Sequence, residues 1–167
     1  MNQAEEDEYR EFVVARMEPL RRTAYLLCRD WHAADDLVSI TIGKLYRHWR
    51  RVRAVDNVEA YVRGVLTNTW LDELRRPWRR EDATAAPPDR PVAGPGPDGQ
   101  VVDRDALLAL LGTLAARQRA VVVLRFYCDL SVEQTAAVLG IRTGTVKSQA
   151  ARGLETLRAL ALESGVR

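Results

Sequence analysis

The side chains best suited to chemistry on another molecule stand between positions 143 and 152. Thr143, Thr145, Lys147, Ser148, Gln149 and Arg152 fall on one side of a helical pattern whose other side carries Val146, Ala150, Leu154, Leu157 and Ala161. This set is rich in hydrogen-bond donors and holds no acid before Glu155. Arginine or lysine can donate to the acceptor edge of guanine, glutamine can pair with adenine, and a capped helix terminus can receive a phosphate. These are the requirements of a helix that reads duplex DNA in the major groove with its amino-terminal end.

Such a helix needs a partner that holds it at a fixed angle, and the preceding residues supply one. Ser131-Val-Glu-Gln134 has the spacing of a capping box, in which a serine hydroxyl and a glutamine amide satisfy the first backbone groups of a helix. That helix is predicted over 132–139. Gly140 ends it in the left-handed conformation that glycine adopts without steric cost, and Thr143 is expected to cap the next helix, which runs to about 162. Ala136 before the glycine and Val146 after it provide the small side chain and the buried aliphatic residue of a tight helix-turn-helix crossing.

Charge is segregated along the chain. The net charge of +2 over 167 residues conceals a net −4 in 1–43, +6 in 44–80, −4 in 81–103 and +4 in 104–167. Two basic blocks around an acidic spacer suggest two contacts with one polyanion. Arg75-Arg-Pro-Trp-Arg-Arg80 is the densest basic run, and Arg50, Arg51 and Arg53 lie close before it. The acidic, polar start at 1–8 is the reverse of a secretory signal, and no run of apolar residues is long enough to span a membrane, so a cytoplasmic protein is expected.

Five of the seven prolines fall within 83–103, which is expected to hold neither helix nor strand and to act as a flexible linker. As a coil of that length it would span roughly 25 Å, and pulled straight roughly 70 Å. The remainder reads as helix. Before the linker, helices are predicted over about 6–16, 19–28, 33–52 and 57–76, with Pro19 at a first-turn position, Asn57 as an N-cap, and a buried stripe of Val62, Val65 or Leu66, Thr69 or Trp70, and Leu74 on the last. After it, helices over 105–114 and 117–127 precede the helix-turn-helix. The fold class is therefore all-α, with domains at 1–82 and 104–167.

Enzymatic chemistry finds no support in the residues. There is no phosphate-binding glycine loop, no carboxylate pair with a neighbouring base, and no metal-ligand spacing. No cofactor or metal is expected. His32 and His48 stand alone, and Cys28 and Cys128 are a hundred positions apart, as suits small buried hydrophobes, with a redox-sensing pair as the alternative.

The first domain carries a family resemblance. Ala34-Asp-Asp-Leu-Val38 followed by Lys44-Leu-Tyr-Arg-His-Trp49, and Glu59-Ala-Tyr-Val-Arg63 followed by Asn68-Thr-Trp-Leu-Asp72 and Arg75-Arg76, resemble regions 2.2 to 2.4 of the extracytoplasmic-function (ECF) sigma factors of RNA polymerase. Arg117-Gln-Arg-Ala-Val-Val-Val-Leu-Arg125, Asp129-Leu-Ser131 and Gly144-Thr-Val-Lys-Ser148 look like their region 4. The likeness is strongest to the actinobacterial SigE-like group. It implies a transcription initiation factor that partners core RNA polymerase, through the β′ clamp and the β subunit, and promoter DNA.

By that resemblance Asp35, Asp36, Leu37 and Val38 would dock on the polymerase. Asn68, Asp72, Arg75, Arg76, Arg79 and Arg80 would meet the −10 element, and Thr143 to Arg152 the −35 element. Trp49, Tyr61 and Trp70 are candidates for stacking an extruded base, or alternatively for the core. Ser39, Ile40, Thr41 and Ile42 stand where the family usually has Gln-Glu-x-Phe, which implies one polar polymerase contact fewer. An anti-sigma partner is plausible in this family. The alternative reading is a stand-alone helix-turn-helix regulator.

Overall fold

The computed structural model describes residues 1–76 and 98–164, and their regular structure is entirely helical. The elements are α1 (Gln3–Cys28), α2 (Trp31–Arg47), the single turn α3 (Trp49–Val52), α4 (Val58–Arg75), α5 (Asp98–Thr113), α6 (Ala116–Val122), α7 (Val132–Leu139) and α8 (Thr143–Ser164). A π-helical turn over Val123–Tyr127 extends α6. Among the described residues no helix is long and apolar enough to cross a membrane.

The first two predicted helices are one. α1 runs through Pro19 without a break. A proline inside a helix loses a backbone donor, which ordinarily kinks or ends it, but here both flanks are anchored. Leu20, Ala24 and Leu27 are buried after it, and Tyr9 is buried before it with Phe12 packed alongside. The Pro19 carbonyl also accepts from the Thr23 hydroxyl at 3.0 Å. Conversely, the helix predicted over 33–52 is two, divided at His48, so that α3 can turn Trp49 and Val52 inward while Arg50 and Arg51 stay exposed.

α1, α2 and α4 surround the larger core. Tyr9, Leu20, Leu27, Leu37, Val38, Leu45, Trp49, Val62, Leu66 and Trp70 belong to one buried cluster. Tyr9, Tyr46, Phe12 and Trp49 form an aromatic group, with ring centroids of 5.2 Å for Tyr9–Trp49 and 4.8 Å for Phe12–Trp49. The Tyr9 hydroxyl donates to the Ile42 carbonyl, and burial pushes its pKa up to about 12. Leu74, predicted to close the buried stripe of α4, is instead 39% exposed, because the core ends one turn earlier at Trp70.

That cluster also takes in Leu108, Ala120 and Val123 from the second half. The two regions, which the proline-rich segment would allow to stand apart, therefore pack on one another. α5 begins at Asp98, inside the stretch expected to be free of helix. The reason is local: Pro97 is the last proline, and nothing after it denies a helix its backbone donors. The rest of the predicted linker, 83–97, lies outside the described residues.

Leu66 is wholly buried at the centre of the shared cluster. Leu66→Ala is expected to lower stability by about 2–5 kcal/mol. Urea unfolding followed by far-UV circular dichroism would measure it, and a loss well under 1 kcal/mol would contradict this packing.

Candidate nucleic-acid interface

The helix-turn-helix forms as its sequence requires. Ser131 Oγ accepts from the Gln134 amide at 3.0 Å, and Gln134 Oε1 accepts from the Ser131 amide at 2.8 Å, so the capping box is complete. Gly140 sits at φ 66°, the left-handed region, and closes α7. Ala136, Val121 and Val146 are buried together where α7 crosses α8, with Val132, Leu139, Ile141 and Ala150 around them. Gly153 fits α8 against α6, since a Cβ there would stand 2.8 Å from Val122 Cγ2. Thr143 is the first residue of α8 rather than the residue preceding it; the Arg142 carbonyl takes the first helical bond, from Val146.

Lys147, Ser148 and Arg152 are exposed on the outer face of α8 with Thr143, while Thr145 and Gln149 are half-buried beside them. The face that could enter a groove is thus open to solvent and held on a rigid support. Its six residues come together on one surface.

The other proposed face is covered. Asn68 on α4 donates from Nδ2 to the Val138 carbonyl of α7 at 2.7 Å. One turn earlier, Gly64 lies so close to α7 that a Cβ would be 2.5 Å from Val138 Cβ. Ala60, a turn earlier again, is buried with Leu124 and Leu130, and Val138 and Leu139 pack against that group. Glycine inside a helix costs about 1 kcal/mol relative to alanine, and here its missing side chain permits the contact. A cavity of about 470 Å³ remains between α4 and α7, lined in part by Val55, Asn57, Tyr61, Gly64, Asn68 and Gln134.

Other predicted residues fall outside this surface. Asp72 and Arg75 are exposed and 4.0 Å apart, and Arg76 pairs with Glu73 at 3.3 Å. Arg79 and Arg80 lie outside the described residues. Trp49 and Trp70 are core residues, 3% and 5% exposed, which removes them as stacking platforms; Tyr61, half-buried at the cavity wall, keeps that possibility.

At the proposed docking surface the residues divide. Leu37 and Val38 are core, each 3% exposed, because the three-four spacing of α2 directs them toward α1 and α4. Asp35 is exposed and held by Arg21 at 2.7 Å, and Asp36 lines a cavity of about 190 Å³ with Ile40, Glu73 and Leu74. The apolar part of an acidic-apolar surface is therefore Ile40 and Leu74, which the heptapeptide at 34–40 and the end of α4 bring together only in three dimensions. Among the Ser39–Ile42 departures, Thr41 is buried with its hydroxyl on the Leu37 carbonyl, a structural role.

Sequence reading did not single out Arg119 for this seam. Its guanidinium donates to the Leu27 carbonyl at the end of α1 (2.7 Å) and to the Gly112 and Leu114 carbonyls (3.1 and 3.2 Å), and it lies over the Trp70 ring at 5.3 Å. Burial, with Arg29 close by, lowers its pKa below the ordinary arginine value. A cation placed on carbonyls and an indole, rather than on a carboxylate, joins the two regions through geometry that spacing along the chain could not reveal.

Comparison with known proteins gives a consistent picture. Residues 12–80 match the family description "Sigma-70 region 2", and residues 104–157 match "Sigma-70, region 4". The chain is 36% identical to the RNA polymerase sigma-E factor of Streptomyces coelicolor, over 90% of this chain and 84% of that one. It is 33% identical to the ECF RNA polymerase sigma factor SigE of Mycolicibacterium smegmatis, over 94% of this chain and 63% of the other. Among solved structures it resembles the sigma factor RpoE in complex with the anti-sigma factor NepR from Bartonella quintana, with a TM-score of 0.77, 25% identity, and coverage of 92% and 96% of the two chains.

Gly64→Ala adds a methyl group where none fits and favours the helix that carries it. The two regions are expected to separate, so the radius of gyration from small-angle X-ray scattering should rise while helical content holds. An unchanged radius would show that α7 does not depend on the close approach.

Proposed function

The chain belongs to the ECF sigma factors of RNA polymerase, and we propose that its helices divide the work of promoter recognition as follows. As a member of that family it is a transcription initiation factor: it binds core polymerase and directs it to promoter DNA. α8 reads the −35 element as duplex through Lys147, Gln149 and Arg152, with Thr143, Thr145 and Ser148 on flanking phosphates or base edges. α4 reads the −10 element through Asn68, with Asp72, Arg75, Arg76, Arg79 and Arg80 along the same path. Asp35 and Asp36, joined by Ile40 and Leu74, meet the β′ clamp, and the second region meets the β subunit.

The observation that carries this reading is the exposed, acid-free face of α8 on a helix-turn-helix whose first helix is capped at both ends, in the same chain as α2 and α4. The physical logic of the −10 step is separate. Extracting a base from a duplex costs a few kcal/mol, recovered by edge hydrogen bonds and stacking. Asn68 can supply the first and Tyr61 the second, beside the cavity between α4 and α7. In the packed state Asn68 is already bonded to Val138, so α7 has to leave before a base can enter. α8 needs no such change. The two faces therefore come into use in order, duplex contact first and strand capture after opening.

An anti-sigma partner fits the same geometry. The RpoE structure that resembles this chain is that of a sigma factor held by such a protein, and a ligand that prefers the packed arrangement shifts the population toward it.

Run-off transcription with core polymerase on native promoter fragments tests the assignment directly; a stand-alone regulator would bind DNA without core and leave start-site choice unaltered. Lys147→Ala and Arg152→Ala should each weaken −35 recognition by about 1–3 kcal/mol and relax preference at one promoter position, read from initiation on a set of single-base promoter variants. Unaltered preference would remove those residues from the interface. Asp35→Ala combined with Asp36→Ala should reduce affinity for core several-fold in a pull-down titration, with little effect on melting temperature, because the Asp35–Arg21 pair is solvent-exposed. Native affinity would place docking elsewhere.

A further inference from the structure

The stripe by which α4 meets the helix-turn-helix does not end at Asn68. Ala60, Gly64, Asn68 and Leu71 recur at helical spacing along one side of α4. Ala60 packs with Leu124 and Leu130, while Gly64 and Asn68 lie against Val138 of α7. Leu71 reaches further. It shares a cavity with Val121 of α6, with Leu139 and Ile141 at the turn, and with Thr145 and Gln149 of α8. That cavity holds only about 20 Å³, room for about one water. Thr145 and Gln149 are also the two reading residues that are half-buried, whereas Thr143, Lys147, Ser148 and Arg152 are exposed.

A recognition helix meets base edges with its amino-terminal part, and Thr145 and Gln149 stand in that part of α8. A glutamine amide that pairs with a base has to lie against its edge at hydrogen-bond distance. A groove wall brought to Gln149 therefore arrives where Leu71 is packed, and so tight a cavity leaves no slack for both. Lys147, Ser148 and Arg152 can touch the duplex before that collision. Full contact follows only when α4 withdraws. Withdrawal moves the whole stripe, because Asn68 lies about one turn before Leu71 on the same helix. The motion that frees Gln149 also takes Asn68 off the Val138 carbonyl.

We propose that Leu71 couples the two reading faces: duplex held by α8 displaces it, and with it the contact that covers Asn68. Leu71 is a positioning residue and touches no base. The inference rests on the assignment of α8 to duplex and of α4 to a single strand, and it adds the link between them. The duplex is the effector, and uncovering of the strand-capture face is the response. A ligand shifts such an equilibrium only by its preference for one arrangement. The duplex has that preference because Thr145 and Gln149 are fully available in just one of the two. Coupling of this kind is reciprocal, so whatever holds α4 against α7 weakens duplex binding.

The test is fluorescence anisotropy of the full chain on a short labelled duplex, cut from the −35 side of a native promoter that the chain and core polymerase use. Leu71→Ala should raise affinity at least roughly fivefold, the lower end of ordinary coupling between sites. Gly64→Ala weakens the same seam about two turns before Leu71. It should raise affinity too, and it keeps the test decisive should Leu71→Ala impair folding. In the wild type, saturating duplex should raise affinity for the single-stranded −10 segment of that promoter by the same factor, and in Leu71→Ala that gain should shrink. Duplex affinity unaltered in both variants overturns the proposal, as does a −10 strand that binds equally with and without duplex. A gain from Gly64→Ala with none from a folded Leu71→Ala overturns the role of Leu71. Arg152→Ala separates these results from failure of the underlying assignment: should it bind the duplex as tightly as the wild type, α8 is not the reading helix, whatever Leu71 does.

Discussion

The seam between α4 and α7 governs how the rest of the molecule can act. α4 is packed on two sides at once: Val62, Leu66 and Trp70 face α1 and α2, while Ala60, Gly64 and Asn68 face the helix-turn-helix. The second contact exists only because position 64 has no side chain and Val138 can approach within a distance that any Cβ would forbid. Glycine at mid-helix is unfavourable for α4 taken alone, so its presence makes sense as part of the seam. Arg119 reinforces it from the other end by donating across to the Leu27 carbonyl.

Electrostatics follows the same pattern of pairing within the chain. Arg50 and Arg53 sit on Glu5 and Glu8, Arg21 on Asp35, and Arg16 on Glu59. The Arg21–Asp35 and Arg53–Glu8 pairs are exposed enough to contribute little to stability. The amino-terminal acidic block and the basic block after it, separate in the chain, meet in space, which is why the net charge of either says less about DNA affinity than the geometry does. The outer face of α8 is different: Lys147 and Arg152 stand exposed on it, and its first acid is Glu155.

Much of this was legible beforehand where the physics is local. The Ser131–Gln134 capping box, the left-handed glycine at 140 and the small-then-aliphatic spacing of the crossing depend on residues within a few positions of one another, and the helix-turn-helix followed from them. The family resemblance at 34–38 and 59–76 rested on similarly short motifs. Expectations failed where distant packing decided. Pro19 does not end a helix because the core holds both sides of it. Leu37 and Val38 are buried although their neighbours Asp35 and Asp36 are not. Leu74 is exposed because the core stops at Trp70.

The chain's sequence by itself determined that the protein is helical, that α7 and α8 form a DNA-reading pair, and that it belongs among the sigma factors, because these are consequences of short-range backbone chemistry and motif identity. Tertiary structure alone decided that the outer face of α8 is open and that the Asn68 face of α4 is covered. That choice depends on a glycine, an asparagine and a valine separated by some seventy positions, where the free energy comes from close approach rather than from any pattern along the chain.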